Sequence, residues 1–388
     1  MPSPKNWRSC PNPKGMEINR REFLAKGGLG LAGGTVGLLS ACTEEKKQLE
    51  TPYINFNKLF EWKMVTTWPP NFPVVGEGCV MMAKWVETMS GGRLKIKVYG
   101  GGELVPSLEV FDAVSSGAVE IGHGASYYWA GKVQAAQFFA AVPFGMNAQQ
   151  MNAWIISSGS IALWEELYEP FRLLPMIAGN TGVQMAGWFN RELNTMDDLK
   201  GLKMRIPGLG GKVLSEAGGT SVLQAGGEIY TNLERGVIDA AEWIGPYHDY
   251  LMGFQRVAKH YYYPGWHEPG SVLEQMVNKD KFEALPTDLK EIVRAGASKL
   301  NEWMLAEFDA KNSLYLKKLR EEEGTDIRKL PDVILRELKK ISDVMLGDMA
   351  QGDPIIKKVY DSFTAFRDQI KPWSDISERA FYNDVLGQ

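Results

Sequence analysis

The sequence is poor in the residues that build many metal and redox sites. Its 388 residues include three cysteines and four histidines. Cys10, Cys42 and Cys79 form no C-x-x-C pair, which excludes a zinc ribbon and a dithiol redox centre, and no H-E-x-x-H motif is present. An excess of basic residues is also missing. Because 43 Lys and Arg face 47 Asp and Glu, the charge gives no reason to expect nucleic acid binding.

The uncharged run near the N-terminus is too short to cross a membrane. Gly27 to Ala41 comprises fifteen weakly apolar residues, whereas a helix needs about 20 to span the hydrocarbon core. Arg20 and Arg21 precede this run, and small residues end it. That order is typical of an export signal, and it resembles the twin-arginine type, which exports folded proteins. We therefore assign 1–42 to the export signal and 43–58 to a polar tether.

The end of this signal contains a candidate lipid attachment site. The tetrapeptide Leu39-Ser40-Ala41-Cys42 resembles a lipoprotein box, in which Cys42 is acylated and becomes the first residue of the mature protein. Cleavage near Ala41 without lipid attachment is the alternative. Met16 is an alternative to Met1 as the first residue, because 1–15 carry no structural pattern.

The remaining sequence is typical of an α/β protein with two similar lobes. Strand-like and helix-like patterns alternate twice as β-α-β-α-β, which favours parallel sheets flanked by helices. The first set consists of predicted strands at 60–66, 94–98 and 119–122 and predicted helices at 75–89 and 108–114. The second set consists of predicted strands at 202–206, 221–224 and 237–241 and predicted helices at 211–217 and 228–235.

The predicted lobes are not continuous along the chain. Residues 59–183 with part of 266–388 form the first lobe, and 184–265 form the core of the second. A long helix is predicted from Pro286, within a helical region at 286–350, because no proline or strand-like run interrupts it. This region packs on the lobes or docks a second subunit. A strut behind one lobe fits the pattern equally well.

The predicted strand ends indicate a ligand-binding cleft. In open α/β sheets, ligands bind outside the carboxyl ends of the strands. Applied to both lobes, this rule selects 122–129, with Tyr127 and Tyr128, and 242–247, with Glu242 and Trp243. Two lobes that present such segments to each other form a cleft that can close on a solute.

Several segments resemble one family of transport proteins. The most specific is Leu-Lys-Gly-Leu-Lys-Met-Arg-Ile-Pro-Gly at 199–208, and the others lie at 63–70, 95–104, 111–123 and 234–243. Over residues 60–388 they resemble the DctP-like extracytoplasmic solute receptors of TRAP (tripartite ATP-independent periplasmic) transporters. The closest likeness is to the branch that binds α-keto and hydroxy acids together with a cation. The resemblance implies a two-lobed fold like that of type II periplasmic binding proteins, with a long C-terminal helix.

The resemblance also implies how the ligand and the cation are held. Arg205 is expected to form a salt bridge with the substrate carboxylate, which a planar guanidinium fits well. The implied metal ligands are the side chains of Gln184, Glu242 and Glu268 and the main-chain oxygen of Trp243. Oxygen donors of this kind suit a hard cation, Na⁺ or Ca²⁺, and the sequence does not decide between the two.

Weaker expectations concern the surroundings of this site. Asn180, Tyr127 and Tyr128 are expected to donate hydrogen bonds to the substrate, although packing explains paired tyrosines equally well. Trp243 is expected to enclose the short carbon chain of the substrate and to limit its size.

The resemblance implies a receptor in the periplasm or on the outer face of the cytoplasmic membrane. It would deliver a pyruvate-like or lactate-like monocarboxylate to a TRAP permease and form a homodimer through the long helix. The first alternative is a secreted metal-dependent oxo-acid lyase, with His267 as the candidate base, since a cation that chelates an oxo acid also stabilises an enolate. No G-x-S-x-G elbow or Walker loop supports an enzyme. The second alternative is a solute-sensing partner of a membrane protein.

Overall fold

The computed structural model describes residues 58–387. The predicted export signal, its Cys42 and the tether up to residue 57 lie outside the described residues. Within the part that is described, no helix is both long enough and apolar enough to cross a membrane.

Strands and helices alternate through the first half of this range, and long helices dominate its end. The strands are β1 Phe60–Thr66, β2 Leu94–Tyr99, β3 Ile121–Gly124, β4 Leu173–Asn180, β5 Gly187–Phe189, β6 Lys203–Arg205, β7 Thr220–Val222, β8 Ala240–Ala241, β9 His260–Tyr263, β10 Val272–Asn278 and β11 Asp326–Lys329. The helices are α1 Val75–Met89, α2 Val110–Ser115, α3 Ala148–Asn152, α4 Ile161–Tyr168, α5 Gly208–Glu216, α6 Gly226–Glu234, α7 Pro246–Leu251, α8 Lys279–Glu283, α9 Thr287–Glu321, α10 Asp332–Gly352, α11 Pro354–Ile376 and α12 Glu378–Ala380.

The strands form two mixed sheets. The first sheet has the order β2-β1-β3-β10-β4, with β1 parallel to β2 and β3, and β10 antiparallel to its two neighbours. The second sheet has the order β11-β9-β5-β8-β6-β7, with β6 parallel to β7 and β8. The prediction of an α/β fold with two sheets flanked by helices is confirmed.

Two of the predicted strands begin later than expected, for the same physical reason. The predicted strand at 119–122 starts two residues after Gly117, and the one at 237–241 starts directly after Gly236; the φ angles of these glycines are 75° and 68°. The following amides turn back to the preceding helix, because Val119 N–H donates to Ala113 O and Ile238 N–H donates to Asn232 O, each at 3.3 Å. Glycine adopts this left-handed helix end at little cost. The strands therefore begin only at Ile121 and Ala240.

The predicted long helix is α9, which has 35 residues. It packs against β4 of the first sheet, against α1, and against α7, which follows β8 of the second sheet. Its buried side chains include Val293, Leu300, Met304 and Phe308, which recur at spacings of seven and four along one helical face. One helix thus contacts a strand of the first sheet and a helix that follows a strand of the second.

Candidate ligand and cation site

Two parallel strands of the second sheet end in charged residues that meet. Arg205 is the last residue of β6, and Glu242 directly follows β8. The strands pair with Arg205 opposite Ala241, and Glu242 N–H donates to Arg205 O at 3.1 Å. Both side chains are buried, with 1% of Arg205 and none of Glu242 exposed. The sequence predicted a site at the carboxyl ends of strands, and Arg205 and Glu242 lie at the carboxyl ends of β6 and β8.

The Arg205 guanidinium is fully engaged inside the protein. Its Nη1 donates to the Glu242 carboxylate and, at 3.0 Å, to the Glu242 carbonyl oxygen. Its Nη2 donates to Tyr128 Oη at 3.3 Å, and its Cζ atom lies 5.1 Å from the centre of the Trp243 ring. Burial is the largest single influence and lowers the pKa of Arg205, but the acidic groups around it, Glu242 foremost, together outweigh burial, so the net shift is upward. The arginine therefore stays charged.

A second buried carboxylate approaches from the loop between β9 and β10. Glu268 Oε2 accepts hydrogen bonds from Gln184 Nε2 at 2.7 Å, from Tyr127 Oη at 3.5 Å and from the Ser271 hydroxyl. The main chain brings these groups together, because Gln184 N–H donates to Glu268 O at 3.2 Å. Burial, and then the Glu242 charge, raise the pKa of Glu268 to about 7.

Gly265 makes this loop possible. A Cβ at position 265 would lie 2.3 Å from the carbonyl oxygen of Gln184, a distance that no side chain tolerates. Glycine therefore allows the loop to approach Gln184 closely enough for Glu268 to face Glu242.

Five buried side chains form what we call the Arg205 cluster: Gln184, Arg205, Glu242, His267 and Glu268. One ligand atom each from Glu242, His267 and Glu268 lies within 4.8 Å of the others, which is a spacing that one metal ion can bridge. Gln184 Oε1 is buried and has no hydrogen-bond partner among the described residues. An unpartnered acceptor beside two carboxylates is costly unless a cation is bound, so these residues fit a hard metal ion.

The structure joins most of the predicted site residues through direct contacts. Tyr127 and Tyr128 reach the Arg205 cluster from the end of β3 in the first sheet. Asn180 ends β4, four residues before Gln184. Its Oδ1 accepts from Gly182 N–H at 2.9 Å, while its buried Nδ2 donor has no partner in the described part of the chain.

Two contributors to the site were not predicted from the sequence. The sequence predicted His267 only as the candidate base of an alternative enzyme, whereas its Nε2 lies 3.4 Å from Glu242 Oε2 in the Arg205 cluster. Ser271, which donates to Glu268, was not predicted as part of the site. The one local signal for it in the sequence is its spacing of three residues from Glu268.

This arrangement defines a class of protein. Tyrosines from one α/β sheet meet a buried arginine and a carboxylate at the strand ends of another, together with a second carboxylate from the loop between β9 and β10, as expected for a binding protein that encloses a small solute. The chain belongs to the DctP family, described as bacterial extracellular solute-binding protein, family 7, which matches residues 64–353.

Individual proteins that are similar to this chain over most of its length are also solute-binding proteins. The chain is 41% identical to the monocarboxylate 2-oxoacid-binding periplasmic protein of Nostoc sp., over 94% of this chain and 98% of that protein. It is 39% identical to a TRAP periplasmic solute binding protein from Pseudoalteromonas atlantica, crystallised with sodium and pyruvate. The TM-score is 0.82, over 84% of this chain and 99% of that one.

A third relative was crystallised as a dimer of mixed occupancy. It is a TRAP transporter solute binding protein from Bordetella bronchiseptica with calcium and picolinate in its occupied site. This chain is 37% identical to it, with a TM-score of 0.84 over 85% of this chain and 98% of that one.

The family fixes the general function. The chain is a solute-binding receptor of a TRAP transporter, not an enzyme, and it functions in the periplasm with a TRAP membrane permease as its partner. The predicted family and the prediction that the protein is not an enzyme are confirmed.

Proposed function

We propose that the receptor captures a small 2-oxo or 2-hydroxy monocarboxylate of the pyruvate and lactate type, together with a cation. The Arg205 cluster carries this proposal. The relatives from Nostoc and Pseudoalteromonas bind 2-oxo acids or pyruvate, and their similarity spans at least 84% of this chain. A 2-oxo acid presents a carboxylate and a neighbouring oxygen, and a single cation chelates both.

In this proposal Arg205 binds the substrate carboxylate. Its Nη2 has a longer hydrogen bond, 3.3 Å to Tyr128 Oη, than the contacts of its Nη1 with Glu242. A substrate carboxylate would therefore compete with Tyr128 for the Nη2 side of the guanidinium. Tyr127, Tyr128 and the unpartnered Nδ2 of Asn180 supply further donors for the oxygens of the anion.

The cation in this proposal is held by the side-chain oxygens of Gln184, Glu242 and Glu268 and by the main-chain oxygen of Trp243. Arg205 supplies one positive charge against two carboxylates, which leaves one buried negative charge. Ca²⁺ reverses that balance and makes the site neutral once a monocarboxylate is bound, whereas Na⁺ leaves one negative charge. The charge balance favours Ca²⁺, and both ions suit these hard donors.

We further propose that the two sheets are the cores of two hinged lobes, with 59–183 and part of 266–388 in one and 184–265 in the other. Trp243 then closes over the carbon chain of the substrate and limits its length. The contacts of α9 with elements of both sheets support a helix that bridges the lobes. We also propose a homodimer through the helical region at 286–350, and the relative from Bordetella bronchiseptica, which was crystallised as a dimer, supports a dimeric state.

Export and anchoring are proposed from the sequence alone. The twin-arginine signal is proposed to deliver a folded receptor, and acylation of Cys42 to hold it at the outer face of the cytoplasmic membrane. Intact-mass spectrometry of protein from the native membrane tests the anchoring proposal. A mature chain that begins at residue 42 with added lipid mass supports anchoring, and an unmodified chain contradicts it.

The ligand proposal is tested on the receptor purified without added ligand. Native mass spectrometry identifies any co-purified acid and ion, and calorimetry then measures the binding of pyruvate and lactate with Ca²⁺, with Na⁺ and with chelator. We expect binding that requires one of the ions. Failure of 2-oxo and 2-hydroxy monocarboxylates to bind under all three conditions would reject the ligand class.

A further inference from the structure

His248 is buried where a helix that follows a strand of the second sheet meets a loop that follows a strand of the first. It lies in α7, after β8 of the second sheet, and is fully buried. Its Nδ1 lies 3.2 Å from Trp243 Nε1, and its Nε2 lies 2.9 Å from the carbonyl oxygen of Pro73, in the loop between β1 and α1 of the first sheet. One imidazole thus links Trp243 of the site to Pro73, which is 175 residues from His248 in sequence.

The direction of these hydrogen bonds follows from the chemistry of the partners. Trp243 Nε1 only donates, so His248 Nδ1 accepts. Pro73 O only accepts, so His248 Nε2 carries the proton and donates. The two contacts therefore require the same neutral tautomer, and each supports the other. Phe72 and Phe308 pack edge-on against the ring at 4.6 and 4.8 Å, which holds it in this orientation.

The loop that His248 contacts is held in an unfavourable backbone conformation. Asn71 has a φ of 54° and Val74 a φ of 60°, although neither is a glycine. A β-branched residue at positive φ is a strong outlier, and such conformations persist only where the surroundings enforce them. Pro73, the acceptor of the His248 hydrogen bond, directly precedes Val74. His248 is therefore placed to retain the strained segment.

The Trp243 ring contacts both this loop and the arginine proposed to bind the substrate. Its centre lies 6.4 Å from the ring centre of Phe72 in the loop and 5.1 Å from Cζ of the Arg205 guanidinium. Gly226 limits the ring further, because a Cβ there would lie 2.6 Å from its Cη2 atom. The ring can move away from the cluster only if its bond to His248 breaks or the loop shifts.

We propose that His248 is a positioning residue that fixes Trp243 against the loop at 69–74 and thereby sets the length of the acid that the Arg205 cluster accepts. The selectivity part of this proposal rests on the proposed function. The positioning part does not, because it concerns only contacts within the protein.

The first test measures selectivity by calorimetry in saturating Ca²⁺, with pyruvate and the longer 2-oxopentanoate as probes. We expect the wild type to prefer pyruvate, and His248→Phe, which keeps the ring but neither hydrogen bond, to reduce that preference on the order of tenfold. His248→Gln keeps an acceptor and a donor and should stay within about threefold of the wild type. An unchanged preference in His248→Phe would overturn the selectivity part.

The second test is independent of ligand. Hydrogen exchange of the peptide covering 69–77 is compared in wild type, His248→Phe and Asp249→Asn. Asp249 is the matched control, since it is equally buried on the same helix but contacts Trp188, Tyr261 and Ile244, not the loop. Faster exchange in His248→Phe alone supports the positioning role. Equal exchange in the three proteins, or equal acceleration in both variants, overturns it.

The two tests also separate this inference from the proposed function. A wild type that binds neither acid rejects the proposed ligand, while the exchange experiment still decides the positioning role. If His248→Phe does not fold, His248→Asn replaces it in both tests, because its shorter side chain reaches Trp243 but not Pro73. It should show the same loss of protection in 69–77.

Discussion

Replacing Arg205 by lysine separates the geometry of the guanidinium from its charge. Lysine keeps the positive charge beside Glu242, so the charge balance of the Arg205 cluster does not change. Arg205→Ala would instead break a buried ion pair and cost about 3–5 kcal/mol of stability, which would obscure any effect on binding. We therefore expect Arg205→Lys to fold with nearly unchanged stability and to bind the acid weakly.

The size of the loss follows from the contacts of Arg205. Its Nη1 holds Glu242, while its Nη2 faces Tyr128 at 3.3 Å on the side proposed for the substrate. A lysine has one nitrogen, so it retains the Glu242 contact and gives up the second edge. One charge-assisted hydrogen bond is worth about 1.5–3 kcal/mol, which corresponds to roughly a 10- to 150-fold weaker Kd.

Calorimetry with pyruvate in saturating Ca²⁺ measures this change, with urea unfolding as the check on stability. Arg191→Lys is the matched control, because Arg191 makes a partly exposed ion pair with Asp239 at 3.4 Å in the same sheet. That control should bind like the wild type. A Kd for Arg205→Lys within threefold of the wild type would show that the forked geometry of Arg205 does not hold the carboxylate.

Three further predictions concern the cation, the ligand and the first sheet. Glu268→Gln removes one proposed cation ligand and should raise the half-saturating Ca²⁺ concentration at least about tenfold, since a hard cation prefers charged oxygens; tight pyruvate binding by this variant in chelator would contradict the role. Pyruvate at 100 times its Kd with Ca²⁺ should stabilise the wild type by about 2.7 kcal/mol in thermal denaturation, and an unchanged transition would contradict binding. Burial raises the pKa of Glu274 from 4.5 to about 8, despite hydrogen bonds from Tyr168 and Trp129. Because the unfolded carboxyl loses its proton near pH 4.5 and the folded one only near pH 8, stability should fall as pH rises between these values. Glu274→Gln should flatten that fall, measured by urea unfolding at pH 5.5 and 7.5 without ligand, and an equal pH dependence in both proteins would contradict the buried acid.

The elements that the sequence predicted are those with a local signal. β1 and α1 were predicted with the bounds that the structure has, and the start of α9 was predicted to within one residue, because periodicity and flanking proline or glycine mark these ends. β10 was missed: its sequence VLEQMVN carries Glu274 and Gln275 in a fully buried strand, which breaks the apolar pattern. β5 has only three residues, too few for any periodicity. The pairing of β10 with β3 and β4 is a long-range property that no local pattern contains.

The residues of the site likewise divide into those with a local signal in the sequence and those without one. The positions of Arg205 and Glu242 at strand ends were predictable from local patterns and the rule for open α/β sheets. Gln184 and Glu268 came only from the resemblance to the family, because neither stands at a predicted strand end. The link from His248 to Pro73 was not predictable from the sequence, since it depends on how a loop of the first sheet meets a helix that follows a strand of the second.

Around the proposed ligand, one set of residues provides the charges and another set provides the aromatic walls. Trp68 Nε1 donates to His123 Nδ1 at 2.8 Å, and His123 Nε2 donates to Ala178 O at 3.1 Å, which repeats the chain from Trp243 through His248 to a carbonyl. Burial lowers the pKa of His123 to about 4 and that of His248 to about 3, so both remain neutral at physiological pH. The two indoles they hold meet edge-on with ring centres 6.2 Å apart. Neutral imidazoles can thus fix the aromatic walls without adding charge beside Arg205, Glu242 and Glu268, which leaves the charge balance to the cation and the acid.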